Sequence, residues 1–142
     1  MPGLTLRYEL ARAARRGAKV RILLPGKSDV PAVRHASRHL YAWFMARGIE
    51  IHEWQPTILH TKYAAIDDRW ATVGTYNLDY LSWRQNLEVN VAVIDSAIAH
   101  ALRERFEQDL GRSLRIEPAV WAQRPWVDRG VHRFFFMFRK IL

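Results

Sequence analysis

The apolar positions in the first third of the chain predict two units, each with a helix followed by a strand. Residues 4–16 and 30–47 place apolar side chains at helical spacing, and a glycine follows each segment. Residues 19–25 and 49–54 are short, mostly apolar runs that indicate strands. Because crossover connections between parallel strands are almost always right-handed, we expect these two strands to be parallel neighbours.

The pattern then changes to the spacing of a hairpin. Residues 60–66 predict a strand, the Asp-Asp-Arg that follows predicts a tight turn, and residues 70–73 predict the returning strand. Residues 86–94 indicate a further strand, and residues 96–110 indicate a helix for which Ser96 is the expected N-cap. Together these elements predict an α/β fold in which a mixed β-sheet is flanked by helices.

The end of the chain differs in composition from the rest. From about Gly111 onward Arg, Trp and Phe are concentrated, so we divide the chain into a domain of residues 1–112 and a basic aromatic tail of residues 113–142. Tryptophan and phenylalanine flanked by arginine suit the headgroup level of a bilayer. Exposed aromatic side chains also suit a protein partner, so the tail is expected to be a membrane-surface segment or a docking segment.

The net charge limits the classes of binding partner, and the composition limits the kinds of site that the chain can form. The net charge of +8 favours a polyanionic partner, either nucleic acid or an anionic lipid surface. The chain has no cysteine, which excludes a disulfide scaffold and thiolate metal ligands. His35 and His39 have the i, i+4 spacing of a metal-binding pair, but no third ligand is evident, so no metal site is expected. The longest apolar run, residues 40–46, is far shorter than the ~20 residues that cross a bilayer.

The predicted hairpin carries polar residues that an ordinary amphipathic strand does not need. His60 and Lys62 are two apart, so their side chains point to the same side of a strand. This pair suits phosphoryl chemistry, because a lysine neutralises a phosphate oxygen while an imidazole attacks phosphorus or transfers a proton. At Gly74 the missing side chain allows backbone and ligand to come close, and Thr75 and Asn77 follow it as candidate phosphate ligands.

Two carboxylates near the hairpin have different expected roles. Asp67 lies at the turn and has the opposite parity to His60, so we expect it to hold the local structure. On the next strand Asn86, Glu88 and Asn90 form one polar face. If that face lies beside His60, Glu88 can accept the imidazole N–H and orient the ring. The alternative is that the polar face simply meets water.

The spacing of these residues resembles the HKD motif of the phospholipase D superfamily, H-x-K-x4-D-x6-G-[ST]-x-N. The residues that match it without a gap are His60, Lys62, Asp67, Gly74, Thr75 and Asn77. The flanking sequence VGTYNLDYLSWRQNLEVNVAVID is similar to the bacterial cardiolipin synthase branch. The resemblance implies a phospholipase D-like fold with one HKD half-unit. The implied catalytic residues are His60, Lys62, Asp67 and Glu88, and the implied substrate ligands are Lys62, Thr75 and Asn77.

The mechanism that this resemblance implies uses two HKD motifs that face each other. One histidine attacks the phosphodiester and becomes a phosphohistidine, while the other protonates the departing alcohol and then deprotonates the incoming one. No metal or other cofactor is required. The implied function is phosphatidyl transfer in phospholipid synthesis, by a cardiolipin synthase acting on the anionic phospholipid phosphatidylglycerol. Such an enzyme would be peripheral, on the cytoplasmic side of the cell membrane.

The sequence departs from the family pattern because it contains a single HKD motif. One interpretation is that the chain is the C-terminal half of a two-motif enzyme, with His60 as the acid–base histidine and the nucleophile in the other half. Asp79, Ser82 and Arg84 would then be candidates for shaping the headgroup pocket. The alternative is a phosphodiesterase or nuclease that completes its site as a homodimer and acts on nucleic acid. The sequence leaves open the acceptor alcohol and the competition between transfer and hydrolysis.

Overall fold

The strands that the computed structural model describes form two three-stranded sheets with helices packed against them. The structure describes residues 3–75 and 87–138. The first part contains α1 (Leu4–Arg15), β1 (Arg21–Pro25), α2 (Pro31–Arg38), α3 (Tyr41–Met45), β2 (Glu50–Trp54), β3 (Tyr63–Ile66) and β4 (Trp70–Gly74). The second part contains β5 (Asn90–Ile94), α4 (Ser96–Leu110), β6 (Ser113–Arg115), α5 (Pro118–Ala122) and α6 (Trp126–Met137).

The two helix–strand units predicted from the sequence build the first sheet, in the order β1-β2-β6. β1 and β2 are parallel neighbours, as predicted, with Ile22 opposite Ile51. β6 pairs antiparallel with β2, so this sheet is mixed. The second sheet has the order β3-β4-β5 and is antiparallel. The predicted α/β architecture is therefore confirmed, although the described strands are divided between two sheets rather than joined in one.

The segment predicted as one helix, residues 30–47, is in fact two helices. Between α2 and α3 the N–H of Leu40 donates to the carbonyl of Ser37 at 3.0 Å, and this three-residue bond tightens the chain. The turn allows α2 to pack against α6 while α3 directs Tyr41 and Phe44 into the core. The prediction of one helix was wrong because two different neighbours each require their own helix face.

Several predicted element ends are also shifted by the contacts that the chain makes. The helix N-cap is Asp95 rather than Ser96, because the Asp95 carboxylate accepts the N–H of Ile98 at 2.9 Å. β3 begins at Tyr63 rather than at residue 60. The described part of the next strand begins at Asn90, and residue 86 lies outside the described residues.

The core lies between α3 and β2, beside a buried charge. Its fully buried apolar members are Leu40, Tyr41, Phe44, Ile49 and Ile51. Next to them Glu53 is only 2% exposed, and it accepts hydrogen bonds from the guanidinium of Arg38 at 2.6 and 2.8 Å and from the Tyr41 hydroxyl at 3.0 Å. Because a buried carboxylate needs charged and polar partners, these contacts lock α2 and α3 onto β2.

The segment predicted as a tail is folded against the rest of the chain over its described part. Residues 113–115 form β6 and pair with β2, and Trp121 of α5 packs on Tyr41 with ring centroids 5.1 Å apart. Phe136 of α6 stacks on His39 with centroids 4.4 Å apart. The division of the chain at residue 112 stays a prediction, but the segment after it makes docking contacts within its own chain.

Candidate functional site

The hairpin of β3 and β4 is closed by the predicted Asp-Asp-Arg turn. Asp67 and Asp68 have positive φ angles of 51° and 48°, and the N–H of Arg69 donates to the carbonyl of Ile66 at 3.1 Å. Aspartate tolerates this left-handed conformation better than most residues, which explains the local sequence. The side chain of Asp68 also pairs with Arg103 of α4. The turn therefore depends on both aspartates, the first for its conformation and the second for an anchor.

Asp67 lies at the far end of β3 from His60 and Lys62. Four strand residues separate Lys62 from Asp67, so the two are five steps apart, about 16 Å at ordinary strand rise. This separation agrees with the expectation that Asp67 holds the hairpin and does not touch a phosphate. A role of Asp67 in catalysis stays a prediction, and such a role would act through the turn.

His60 and Lys62 come together just before β3, as their spacing predicted. The Lys62 ammonium lies 3.3 Å from Nδ1 of His60 and donates to the His60 carbonyl at 3.0 Å. Since an ammonium has only donors, Nδ1 acts as the acceptor in this contact, and Nε2 carries the ring proton. The imidazole is exposed, so its Nε2 edge is open to a ligand.

The backbone of Lys62 is held by the sheet although it precedes β3. Its carbonyl accepts the N–H of Gly74 at 3.1 Å, one step beyond the pairing of Tyr63 with Val73. Tyr63 alternates to the opposite side, where its ring meets Phe106 of α4 with centroids 6.4 Å apart. Burial raises the pKa of Tyr63 to about 12, so its hydroxyl stays neutral against α4. One side of β3 is thus anchored to α4 while the residues before it present the polar pair.

At Gly74 the strand β5 lies close against β4. A Cβ at this position would lie 2.3 Å from the Val89 carbonyl oxygen and 2.0 Å from Oδ1 of Asn90. The sequence predicted that backbone and ligand come close here, whereas the close neighbour in the structure is β5. Any side chain would have to displace backbone, so glycine is required for the strand pairing itself.

Thr75 is bound to the chain segment that leads into β5. Its N–H donates to the carbonyl of Val89 at 3.0 Å, and its Oγ1 accepts the N–H of Val89 at 3.0 Å. The hydroxyl of Thr75 also donates to the Val89 carbonyl at 3.5 Å, and this long bond would be exchanged for the predicted phosphate contact. These bonds place the Val89 backbone, and hence its neighbour Glu88, beside the end of β4.

The position of Glu88 follows from the strand register. Asn90 lies opposite Gly74, which in turn bonds to Lys62. Residues directly opposite one another share a face of a sheet, and residues two apart in a strand do so too. This register favours Glu88 on the same side as the His60–Lys62 pair, and the predicted imidazole contact stays a prediction. Asn77, Asp79, Ser82 and Arg84 lie outside the described residues.

Apart from the exposed His100 of α4, the other histidines are parts of packing contacts. His35 lies against Phe135 and His132, each with ring centroids 5.5 Å away. His52 is buried in β2, and burial lowers its pKa, which favours the neutral ring. In residues 3–75 and 87–138 no group of three metal-ligating side chains is present.

The fold and the site together define a protein of the phospholipase D class. A family model described as "Cardiolipin synthase, PLD-like domain" matches residues 2–110. The chain therefore belongs to the family of PLD-like domains found in cardiolipin synthases, as the motif and its flanks predicted.

Curated relatives match the chain over nearly its whole length. Cardiolipin synthase B of Escherichia coli (strain K12) is 34% identical over 139 residues, which are 96% of this chain and 34% of that protein. Cardiolipin synthase A of Cronobacter sakazakii is 33% identical over 142 residues, which are all of this chain and 29% of that protein. The chain thus spans about a third of the length of these relatives.

Solved structures support the fold. The phospholipase D family member Nuc from Salmonella typhimurium superposes with a TM-score of 0.69 and 19% identity, over 82% of this chain and 76% of that one. Phosphatidylserine synthase from Haemophilus influenzae superposes with a TM-score of 0.72 and 15% identity, over 99% of this chain and 39% of that one. At these identities the similarity establishes the fold alone.

Proposed function

We propose that this chain supplies one half of the active site of a cardiolipin synthase-type phosphatidyltransferase. The observation that carries the proposal is the contact between Lys62 and His60, with Nζ 3.3 Å from Nδ1. This contact leaves an exposed imidazole edge beside a positive charge, which is what transfer at a phosphodiester requires. The similarity to cardiolipin synthases over nearly the whole chain supports the same reaction class.

In the proposed reaction a histidine of the other half attacks the phosphorus of phosphatidylglycerol. A phosphorus–nitrogen bond forms, and the bond from phosphorus to the glycerol oxygen breaks. His60 reacts as the imidazolium, with Lys62 turned from Nδ1 to the phosphate; it gives its Nε2 proton to the departing headgroup glycerol and becomes a neutral ring. It then takes a proton from the hydroxyl of a second phosphatidylglycerol, whose oxygen attacks phosphorus and frees the first histidine. Lys62 balances the negative charge on the nonbridging oxygens throughout, and the exchange consumes no cofactor.

The other half is part of the proposal because the chain has one HKD motif. Its span of about a third of the length of its relatives agrees with a role as one half-unit of a larger enzyme. The second candidate is a homodimeric phosphodiesterase or nuclease. Its support is that the similarity to Nuc extends over most of both chains, so a protein of about this size occurs in this fold.

A peripheral membrane contact through α6 fits a lipid substrate. The side of this helix that faces away from α2 exposes Trp126, Phe134 and Met137, whose exposed fractions are 81%, 56% and 68%. Arg129 and Arg133 are exposed on the same helix. Aromatic side chains with neighbouring arginines suit the headgroup level of an anionic bilayer, and the cytoplasmic leaflet is anionic. In the described residues no helix is long and apolar enough to cross a membrane.

The proposal is tested by joining the chain to a donor half. We expect a fusion of the N-terminal part of Escherichia coli cardiolipin synthase B to this chain to convert phosphatidylglycerol vesicles to cardiolipin, measured by thin-layer chromatography. His60→Ala in the fusion should lower the rate by at least ~100-fold, since general acid–base catalysis contributes about that much. His100→Ala, in the exposed part of α4, is the matched control and should leave the rate unchanged.

Sedimentation equilibrium of the chain alone separates the two candidate functions. A monomer without activity on DNA agrees with a half-unit. A stable dimer that cleaves DNA, and loses that activity with His60→Ala, would establish the nuclease alternative. Cardiolipin formation that survives His60→Ala would contradict the assignment of the site.

A further inference from the structure

A carboxamide lies in the same cross-strand row as Lys62, on the far side of Gly74. The Lys62 carbonyl bonds to the N–H of Gly74 at 3.1 Å, and Gly74 lies opposite Asn90 in β5. Residues that lie opposite one another in antiparallel strands place their side chains on the same face. Lys62 and Asn90 therefore flank a position that has no side chain.

The Asn90 side chain leans into the space above this glycine. Its Oδ1 lies 2.0 Å from where a Cβ of Gly74 would be. Strands are about 4.8 Å apart, so a group above Gly74 is about half-way between the columns of Lys62 and Asn90. The carboxamide thus points inward, toward the lysine, although Asn90 is on the exposed outer strand of this sheet.

We propose that Asn90 is a further substrate-binding residue, whose carboxamide donates a hydrogen bond to the phosphate held by Lys62 and His60. A carboxamide has two N–H donors and carries no charge, so it binds an anion without lowering the positive potential that Lys62 provides. Rotation of the amide by half a turn exchanges its oxygen and its NH2 group, so either can face the row. Gly74 is then needed for two reasons, the approach of β5 and the room for this side chain.

This inference rests on the proposed function, because it concerns the same phosphate site. The probe is dihexanoylphosphatidylglycerol, a soluble phosphodiester, titrated into the wild-type chain while the ring resonances of His60 are followed by NMR. Asn90→Ala should raise the dissociation constant about tenfold, the usual effect of one hydrogen bond to a charged group. Asn90→Asp keeps the shape of the side chain but replaces the donors with a negative charge, so it should bind at least as weakly.

Controls separate binding from folding. Thr72→Ala removes another polar side chain of the same sheet, one on β4 that donates to the Val91 carbonyl at 2.9 Å, and it should leave the dissociation constant unchanged. The urea midpoint of Asn90→Asp should match that of the wild type, so that weaker binding cannot come from unfolding.

The outcomes distinguish this inference from the proposed function. If Asn90→Asp binds the probe as tightly as the wild type does, the role of Asn90 is overturned while the proposed function stands. If the wild-type chain does not bind the probe, the phosphate site is contradicted, and with it both the proposed function and this inference. Weak binding by Asn90→Ala and Asn90→Asp, with Thr72→Ala unaffected, supports the carboxamide as a ligand.

Discussion

At two positions of the HKD motif, the backbone geometry explains the residue type without any role in chemistry at phosphorus. Asp67 takes a left-handed turn conformation at the tip of the hairpin, with a φ of 51°. Gly74 admits the backbone of β5, since a Cβ there would lie 2.7 Å from the Cα of Asn90. The contact between the His60 ring and the Lys62 ammonium, by contrast, is exposed to solvent. Within one motif, some positions build the sheet and others face the ligand.

Replacing Gly74 with alanine should therefore destabilise the fold. The new methyl group must push apart β4 and β5, and overpacking of this kind costs about 1–3 kcal/mol. The measurement is the free energy of unfolding by urea, followed by circular dichroism.

Gly130→Ala is the matched control, because nothing lies within 4 Å of a Cβ at that position in α6. Alanine is the better helix former, so this change should stabilise the chain by up to about 1 kcal/mol. A Gly74→Ala variant as stable as the wild type would show that β5 is not closely paired with β4.

At the scale of elements, the docking of α6 depends on a buried neutral histidine. His132 is 3% exposed and stacks against Trp121 of α5, with ring centroids 5.8 Å apart. Burial lowers the pKa of His132 to about 4, assisted by the charges of Arg38 and Arg124 and by the neighbouring His35, while Asp128 opposes the shift. Protonation of this ring would place a charge in an aromatic contact next to two arginines.

The sign of the pH dependence follows from that shift. The unfolded histidine has a pKa near 6.5, so between pH ~6.5 and ~4 the unfolded state binds more protons than the folded state. Stability from this residue is complete above pH ~6.5 and falls as the pH drops toward ~4. We expect the protection factors of the α6 amides, which correct hydrogen exchange for its own dependence on pH, to fall as the pH drops through that window.

Two variants test whether His132 is the group responsible. His132→Phe keeps an aromatic ring that cannot be protonated, so the loss of protection between pH ~6.5 and ~4 should be smaller in this variant. His100→Gln removes an exposed histidine of α4 and should leave the profile as it is. An unchanged profile in His132→Phe would assign the pH effect to another group.

At the scale of the whole molecule, helix α6 of the tail has one side that packs against the domain and one side that is exposed. One side of α6 packs against α2 through His132 and Phe135, and the other exposes Trp126 and Phe134. A membrane contact would therefore use the exposed side, while the docked side fixes the helix to the domain. Of the three consecutive phenylalanines 134–136, the first is the one that faces outward.

The double variant Trp126→Ser with Phe134→Ser should weaken binding to phosphatidylglycerol vesicles by at least ~10-fold. Each large apolar side chain contributes about 1.5–3 kcal/mol when it is buried. Vesicle co-sedimentation measures the effect, and wild-type binding should also decrease as salt is raised.

Ile94→Ser is the matched control, because Ile94 is 77% exposed on β5, outside α6. It should bind vesicles as the wild type does. Equal losses in both variants would mean that exposed apolar area in general, rather than this face of α6, causes the binding.

The features that the sequence determined by itself are those with short-range causes. Helical and strand spacing predicted the parallel pair β1 and β2, and the Asp-Asp-Arg turn predicted the hairpin, because these patterns act between residues a few positions apart. The spacing of His60 and Lys62 predicted for the same reason that their side chains lie on one side, and in the structure the two are in contact. The motif and its flanks identified the family, since they preserve residue type at fixed intervals.

The features that only the tertiary structure decided depend on residues far apart in the chain. The break between α2 and α3 follows from the separate neighbours of each helix, and the folding back of the tail follows from partners such as Tyr41 for Trp121. Glycine is needed at position 74 because β5 lies against it, and the position of Asn90 could be stated only once the register was known. Periodicity shows which side of an element is apolar, but the neighbour that covers that side is chosen by the packing of the whole chain.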